Sequence, residues 1–231
     1  MRKFDEKTGL ESGRRSVLFT AAVLEASGRH ERLAKALSQQ LARWSEVDAA
    51  RRAAEDQITR ANARVAWCDF ALDHALKGFA NELLRDVRGD ASDKGFREFF
   101  PEAPSEVIRL GLEAEVARCE AIFVVAAKRK VTKGAVNALT MVREAVEEGR
   151  KALAARRAAY AAQAEASLDA ETWKESADAV RQSVHVQLQA WAIENGEDRS
   201  YADRFFPEAT ARRAKVQPKG EGGGGGGAPT T

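Results

Sequence analysis

No glycine or proline occurs between Arg29 and Lys77, and none between Arg150 and Asn195. Stretches of that length are too long for strands, and they lack the residues that break helices. In the first, apolar side chains stand at Leu33, Leu37, Leu41, Trp44, Val47, Ala50, Ala54, Ile58, Ala61, Val65, Cys68, Leu72, Leu76, Phe79, Leu83 and Val87. Sixteen positions cover 54 residues in 15 steps, the 3.6 period of an amphipathic helix. The second stretch carries the same pattern less cleanly through Leu139, Val142, Val146, Leu153, Tyr160, Leu168, Val180, Val184, Leu188 and Trp191. Its alanine-rich middle, Ala152 to Ala166, favours close approach of a neighbouring helix.

The chain also reads as an internal duplication, with units near 9–103 and 111–209. Phe99-Phe100-Pro101-Glu102-Ala103 recurs as Phe205-Phe206-Pro207-Glu208-Ala209, 106 residues on, and Trp67 falls on Trp173 at the same offset. Ala49 to Ala54 matches Ala154 to Ala159, Val17 to Ala22 matches Ile122 to Ala127 in character, and Gly28 falls on Gly134. Each unit then comprises a shorter helix, a break near Gly28 or Gly134, and a long helix ending at Gly89 or Gly196.

The expected fold is therefore all-α: an elongated helical bundle of long antiparallel helices built from a tandem internal duplication. Its divisions are helical repeat 1 over 1–103, helical repeat 2 over 104–209, and a basic then glycine-rich tail over 210–231. A continuous helix of about 60 residues would run roughly 90 Å. A hairpin bent at Asn62 or Asp169 is the alternative, disfavoured because neither site has turn chemistry. Pro101 and Pro207 are expected to open new helices, with Glu in the first turn facing the positive helix end. Phe99, Phe100, Phe205 and Phe206 then act as plugs at the ends of the repeats, since aromatic rings bury large areas.

Lys and Arg number 37 against 35 Asp and Glu, so a net charge of +2 supplies no field that would announce a nucleic-acid or membrane partner. Cys68 and Cys119 lack CxxC spacing, which excludes a disulfide scaffold and a zinc finger and points to a reducing, cytoplasmic setting. Arg14-Arg15 before Val17-Leu18-Phe19 departs from an export signal, because Asp5, Glu6 and Glu11 occupy the segment that should be basic. The longest apolar run, Ala121 to Ala127, falls far short of the ~20 residues of a membrane span.

Reaction chemistry finds no foothold, and no cofactor is expected. His30, His74 and His185 stand in no Glu-x-x-His relation of the kind a di-iron bundle needs. Asp69, Asp73 and His74 share neighbouring turns, but the second repeat does not preserve the set, so a solvated polar face is expected. Asp90 to Gly95 fails as a calcium loop because Lys94 occupies a ligand position. Phosphate-binding glycine loops and nucleophile turns are missing from the sequence. The densest basic cluster is Lys128, Arg129, Lys130 and Lys133. The expected function is non-enzymatic: a structural or scaffold protein working through helix-mediated contact with a protein partner or a second copy. One alternative is a nucleic-acid-associated or packaging role through that cluster. Another is a membrane-active bundle exposing Val17–Leu24 or Ile122–Ala127.

Overall fold

The long helices stop where the backbone crosses to positive φ. The computed structural model describes residues 1, 3, 4 and 8–207, and the tail over 210–231 lies outside them. Helix α1 spans Leu10–Ser27 and ends on Gly28 at φ 63°. Helix α2 runs unbroken over Glu31–Asp86. Short helices α3 (Lys94–Phe99) and α4 (Pro104–Val107) follow, then a 3₁₀ turn, helix α5 (Leu112–Lys128), helix α6 (Lys133–Glu194) and a 3₁₀ turn over Ala202–Phe205. The protein is all-α, with no strand among the described residues. Asn62 and Asp169 both lie inside continuous helix, so neither marks a hairpin.

The two long helices end alike. At the end of α2 the Gly89 N–H donates to the Leu84 carbonyl at 2.7 Å and the Arg88 N–H to that of Arg85 at 3.2 Å. At the end of α6 the Glu197 N–H donates to Ala192 at 2.9 Å and the Gly196 N–H to Ile193 at 3.4 Å. These bonds satisfy carbonyls that a helix end leaves orphaned, and they need a left-handed residue one step past the last turn. Gly196 fills that place at φ 67°, whereas at α2 it falls to Arg88 at φ 55°.

Two of the expected starts are displaced. Gly134 is not a break: it is the second residue of α6, and the chain turns instead over 129–132. A Cβ at Gly134 would come within 2.5 Å of Glu82 Oε2, so the Glu82 carboxylate of α2 lies over this position. Pro101 opens no helix either, since it lies in a bend and α4 begins at Pro104, after an extended Ala103. A residue before proline is biased to extended backbone, which moves the start to the second proline of the segment. Residues after Pro207 lie outside the described residues.

The chain divides into two compact units, and these cut across the 1–103 and 104–209 division. One unit comprises Met1–Ala49 with the chain from Leu168 onward; the other is Ala50–Ser167. The reason is that α2 and α6 each give one half to each unit. In the first unit, Trp44 and Trp173 meet at 4.5 Å, Trp173 Nε1 donates to the Gln40 carbonyl at 2.8 Å, and His30 meets Trp191 at 4.9 Å. Rising numbers on α2 meet falling numbers on α6, so the helices are antiparallel there. In the second unit, Arg64 pairs with Glu148 at 3.0 Å and Thr132 donates to Asp86 at 3.0 Å, again antiparallel.

Each unit has its own apolar core, which burial on the order of 2 kcal/mol per large side chain holds together. The first packs Val17 and Leu24 of α1 with Leu37, Trp173, Leu188 and Phe206. The second packs Leu72, Leu76 and Phe79 with Phe100, Ile122 and Val142. Of the sixteen positions read from periodicity, fifteen on α2 and Val87 just past its end, only Ala50 is exposed.

On α6 the reading fails at Tyr160 and Leu168, which are exposed. The inward positions there are Ala159 and Ala166, and alanines on every side of this stretch hide which of them faces in. The Trp67–Trp173 equivalence is likewise overturned: Trp173 is 0% exposed and Trp67 68%. One residue is about 100° of helix rotation, and it is Cys68, next to Trp67, that lies on the buried stripe of α2 with Leu72, Phe79 and Leu83.

Candidate functional site

Each Phe-Phe pair is buried within one unit. Phe99 and Phe100 gather on Phe79 at 5.5 and 6.1 Å. Phe205 meets Tyr201 at 5.3 Å and Phe206 meets His185 at 5.3 Å. Four buried residues of the first unit could not be read as buried from their type: Lys174, Asp178, Arg181 and His30. Arg181 lays its guanidinium over Phe4 at 4.3 Å and donates to Asp178 at 3.3 Å, so both its charge and its plane are used inside the unit. His30 bonds Tyr201 Oη at 2.9 Å within a ring of Trp191, Tyr201 and Phe205. Burial, and then Arg29, lowers its tendency to take a proton.

One member of the basic cluster is engaged in an ion pair. Lys128, Lys130 and Lys133 are exposed, but both arms of Arg129 grip Glu98, which the pairing holds below the usual carboxylate range. Thr132, between Lys130 and Lys133, donates to Asp86. Phosphate would meet acidic side chains among the lysines. Of the apolar segments proposed for membrane contact, Val17–Leu24 points mainly inward, with Val17 and Leu24 at 0% exposure, whereas in Ile122–Ala127 only Ile122 is buried and Val124 is exposed. Among the described residues no helix is long and apolar enough to cross a membrane.

Of the polar group expected to be solvated, His74 is exposed and Asp69 and Asp73 are half-buried. The two aspartates turn toward Glu115 of α5, a residue that sequence reading did not single out because a lone Glu in an apolar stripe looks like an ordinary surface charge. Glu115 is fully buried, and neither of its oxygens has a donor from another residue. Burial first, then hydrogen bonding to Asp73 and the charges of Asp73 and Asp69, raise its carboxyl to about 8. Glu115 therefore holds its proton to a much higher pH than an ordinary glutamate, beside the carboxylates of Asp73 and Asp69. Lys77 adds a weak ion pair to Asp73 at 3.8 Å. Cys119, one turn on, is fully buried and pushed up to about 12, first by burial and then by Glu115, so its thiol stays unreactive. No cluster of His, Cys, Asp and Glu among the described residues has metal-binding geometry.

About half a turn round α2 from these acids, the second unit exposes an apolar face. Trp67 (68%), Phe70 (62%) and Met141 (58%) project from it, with the Trp67 and Phe70 rings 5.8 Å apart. Beside them lie two hollows of ≈ 480 and ≈ 430 Å³, both lined by His74, Ala75 and Met141, so that they join into one groove between α2 and α6. Its floor is made of small residues, Ala71, Ala75 and Gly78 from α2 with Gly134 and Ala138 from α6. A Cβ added at Gly78 would meet nothing within 4 Å, so the floor is open there. Arg64 and Glu148 stand at one end and Glu82 at the other. Helical periodicity predicted the buried side of α2; it left Trp67 unassigned to any surface because the residue was matched to Trp173.

Comparison with protein-family models, curated proteins and solved structures finds no match to the chain.

Proposed function

We propose that the protein is a non-enzymatic structural or scaffold component that works by protein–protein contact, including contact with its own copies, through the α2–α6 face of its second unit. The observation that carries this reading is the exposure of Trp67, Phe70 and Met141 beside a groove floored by alanine and glycine. Large exposed aromatics grouped beside a hollow mark interaction surfaces, and Trp in particular concentrates binding energy. A groove between two helices with a small-residue floor accepts a third helix by ridge-into-groove packing.

The tandem duplication belongs to the same proposal. It is supported by the two buried Phe-Phe pairs and by the like endings of α2 and α6, and it accounts for two units each assembled from complementary halves.

The test is association measured by light scattering and chemical crosslinking, with Trp67→Ser and Met141→Ser combined. Both side chains are exposed, so helicity should be unchanged while association is lost. Association that is indifferent to the double variant, or a monomer that binds no protein, refutes the reading.

A further inference from the structure

Resting on that reading, we infer that the occupant of the groove is a second copy of this chain, docked antiparallel about a two-fold axis that passes between Ala71 and Ala75 of α2 and beside Met141 of α6. A two-fold interface requires one surface to carry both halves of every contact. This face does so. Trp67 projects from one half of it, and the open floor at Gly78 lies in the other half. Pairing α2 with its symmetry mate so that Ala71 meets Ala75 places Trp67 over Gly78 within a residue, and it brings Arg64 to Glu82. The same axis on α6 sets Met141 against itself and Ala138 opposite Glu144. Knob to hole, small to small and cation to anion thus fall into one register, which was fixed by the alanines alone.

The charges are free to make this exchange. Arg64 now pairs with Glu148 among exposed side chains, and the half-buried Glu82 with the exposed Arg85 at 2.7 Å. Exposed pairs hold little energy, so regrouping them across an interface costs little. The small residues at the crossing let the helix axes come close, and Trp67 then fills a space that its own chain leaves empty.

Four variants of the full chain test the inference. Met141→Cys, made with Cys68→Ser because Cys68 lines the same hollow, should give a disulfide-linked dimer under mild oxidation, since a residue beside the axis meets its own copy; Cys119 is fully buried. Gly78→Leu should abolish the dimer while leaving helicity intact, since the new side chain starts in open space. Arg64→Glu alone should weaken dimerisation by about tenfold or more, because like charges then face each other twice. Adding Glu82→Arg should restore it, which no other register predicts.

A dimer indifferent to Gly78→Leu, or a charge reversal that the second reversal fails to rescue, overturns this register. A chain that stays monomeric across the micromolar range overturns the second copy as occupant. In those cases the broader reading stands only if Trp67→Ser with Met141→Ser still removes binding to another protein, so the two failures are separable.

Discussion

Replacing Glu115 by Gln should convert the second unit from one that weakens with rising pH into one that does not. Glu115 has no exposure to solvent, and its carboxyl sits at about 8 against an ordinary 4.5. The folded protein therefore keeps this proton up to about pH 8, while the unfolded chain releases it near 4.5. Between those values the native state binds one proton more than the unfolded state, so the free energy of unfolding falls as pH rises. The slope is about 1.4 kcal/mol per pH unit, and the whole interval amounts to at most about 5 kcal/mol.

Below the interval the group costs nothing, and above it the full loss is present. Gln has the same size, cannot ionise, and keeps an N–H to donate to Asp73. Urea unfolding followed by far-UV circular dichroism should find the two proteins nearly equal at about pH 5. The variant should be more stable by several kcal/mol at about pH 8. The groups facing this site, Asp73, Asp69 and Lys77, with Cys119 one turn on, are present in both proteins, so the pH-dependent part of the difference is led by the Glu115 proton. A difference that does not change with pH, or a variant less stable at the higher pH, refutes the upward shift at Glu115.

Three further outcomes can be checked in the same way. His30 takes up a proton less readily than its ordinary 6.5 because it is buried, so the first unit should lose stability as pH falls below about 6.5. His30→Phe should remove that decline in acid-side thermal melts. Arg88→Gly should raise stability by about 1 kcal/mol in denaturant titration, because the left-handed backbone at φ 55° suits glycine and strains arginine. Trp173→Ala should cost about 3–5 kcal/mol, whereas Trp67→Ala should stay within about 0.5 kcal/mol of the parent in the same titration.

How much of this was legible depends on whether a residue's role is set by its own helix or by the neighbour it meets. The buried face of α2 was readable because leucines and phenylalanines recur at 3.6 residues and have one favourable place to go. Along α6 the same rule lost its grip between Leu153 and Trp173, where alanine is compatible with either side and Tyr160 and Leu168 drew the eye outward. The positive-φ glycines at 28, 89 and 196 were visible as breaks; Gly134 was not distinguishable from them in the sequence, although its backbone is ordinary helix. Glu115 and its facing acids were out of reach because they stand on different helices, and so was the groove, which exists only because α2 and α6 present their small residues to the same side.

The division into units has a consequence for the order in which the chain can acquire structure. Residues 50–167 form one continuous stretch and hold every contact of their own core, so that core can close as soon as the stretch has been synthesised. The other unit joins the two ends of the chain: His30 reaches Tyr201 across 171 residues, and Trp173 reaches Gln40 across 133. Such contacts carry the loop-closure cost of everything between them until the intervening stretch is already ordered. The terminal core is thus the later one to form, and it lacks Phe205 and Phe206 until nearly all of the described chain has been made. A nascent chain leaves α1 and the start of α2 with their apolar stripes uncovered for most of synthesis, which is the interval in which they are open to wrong partners.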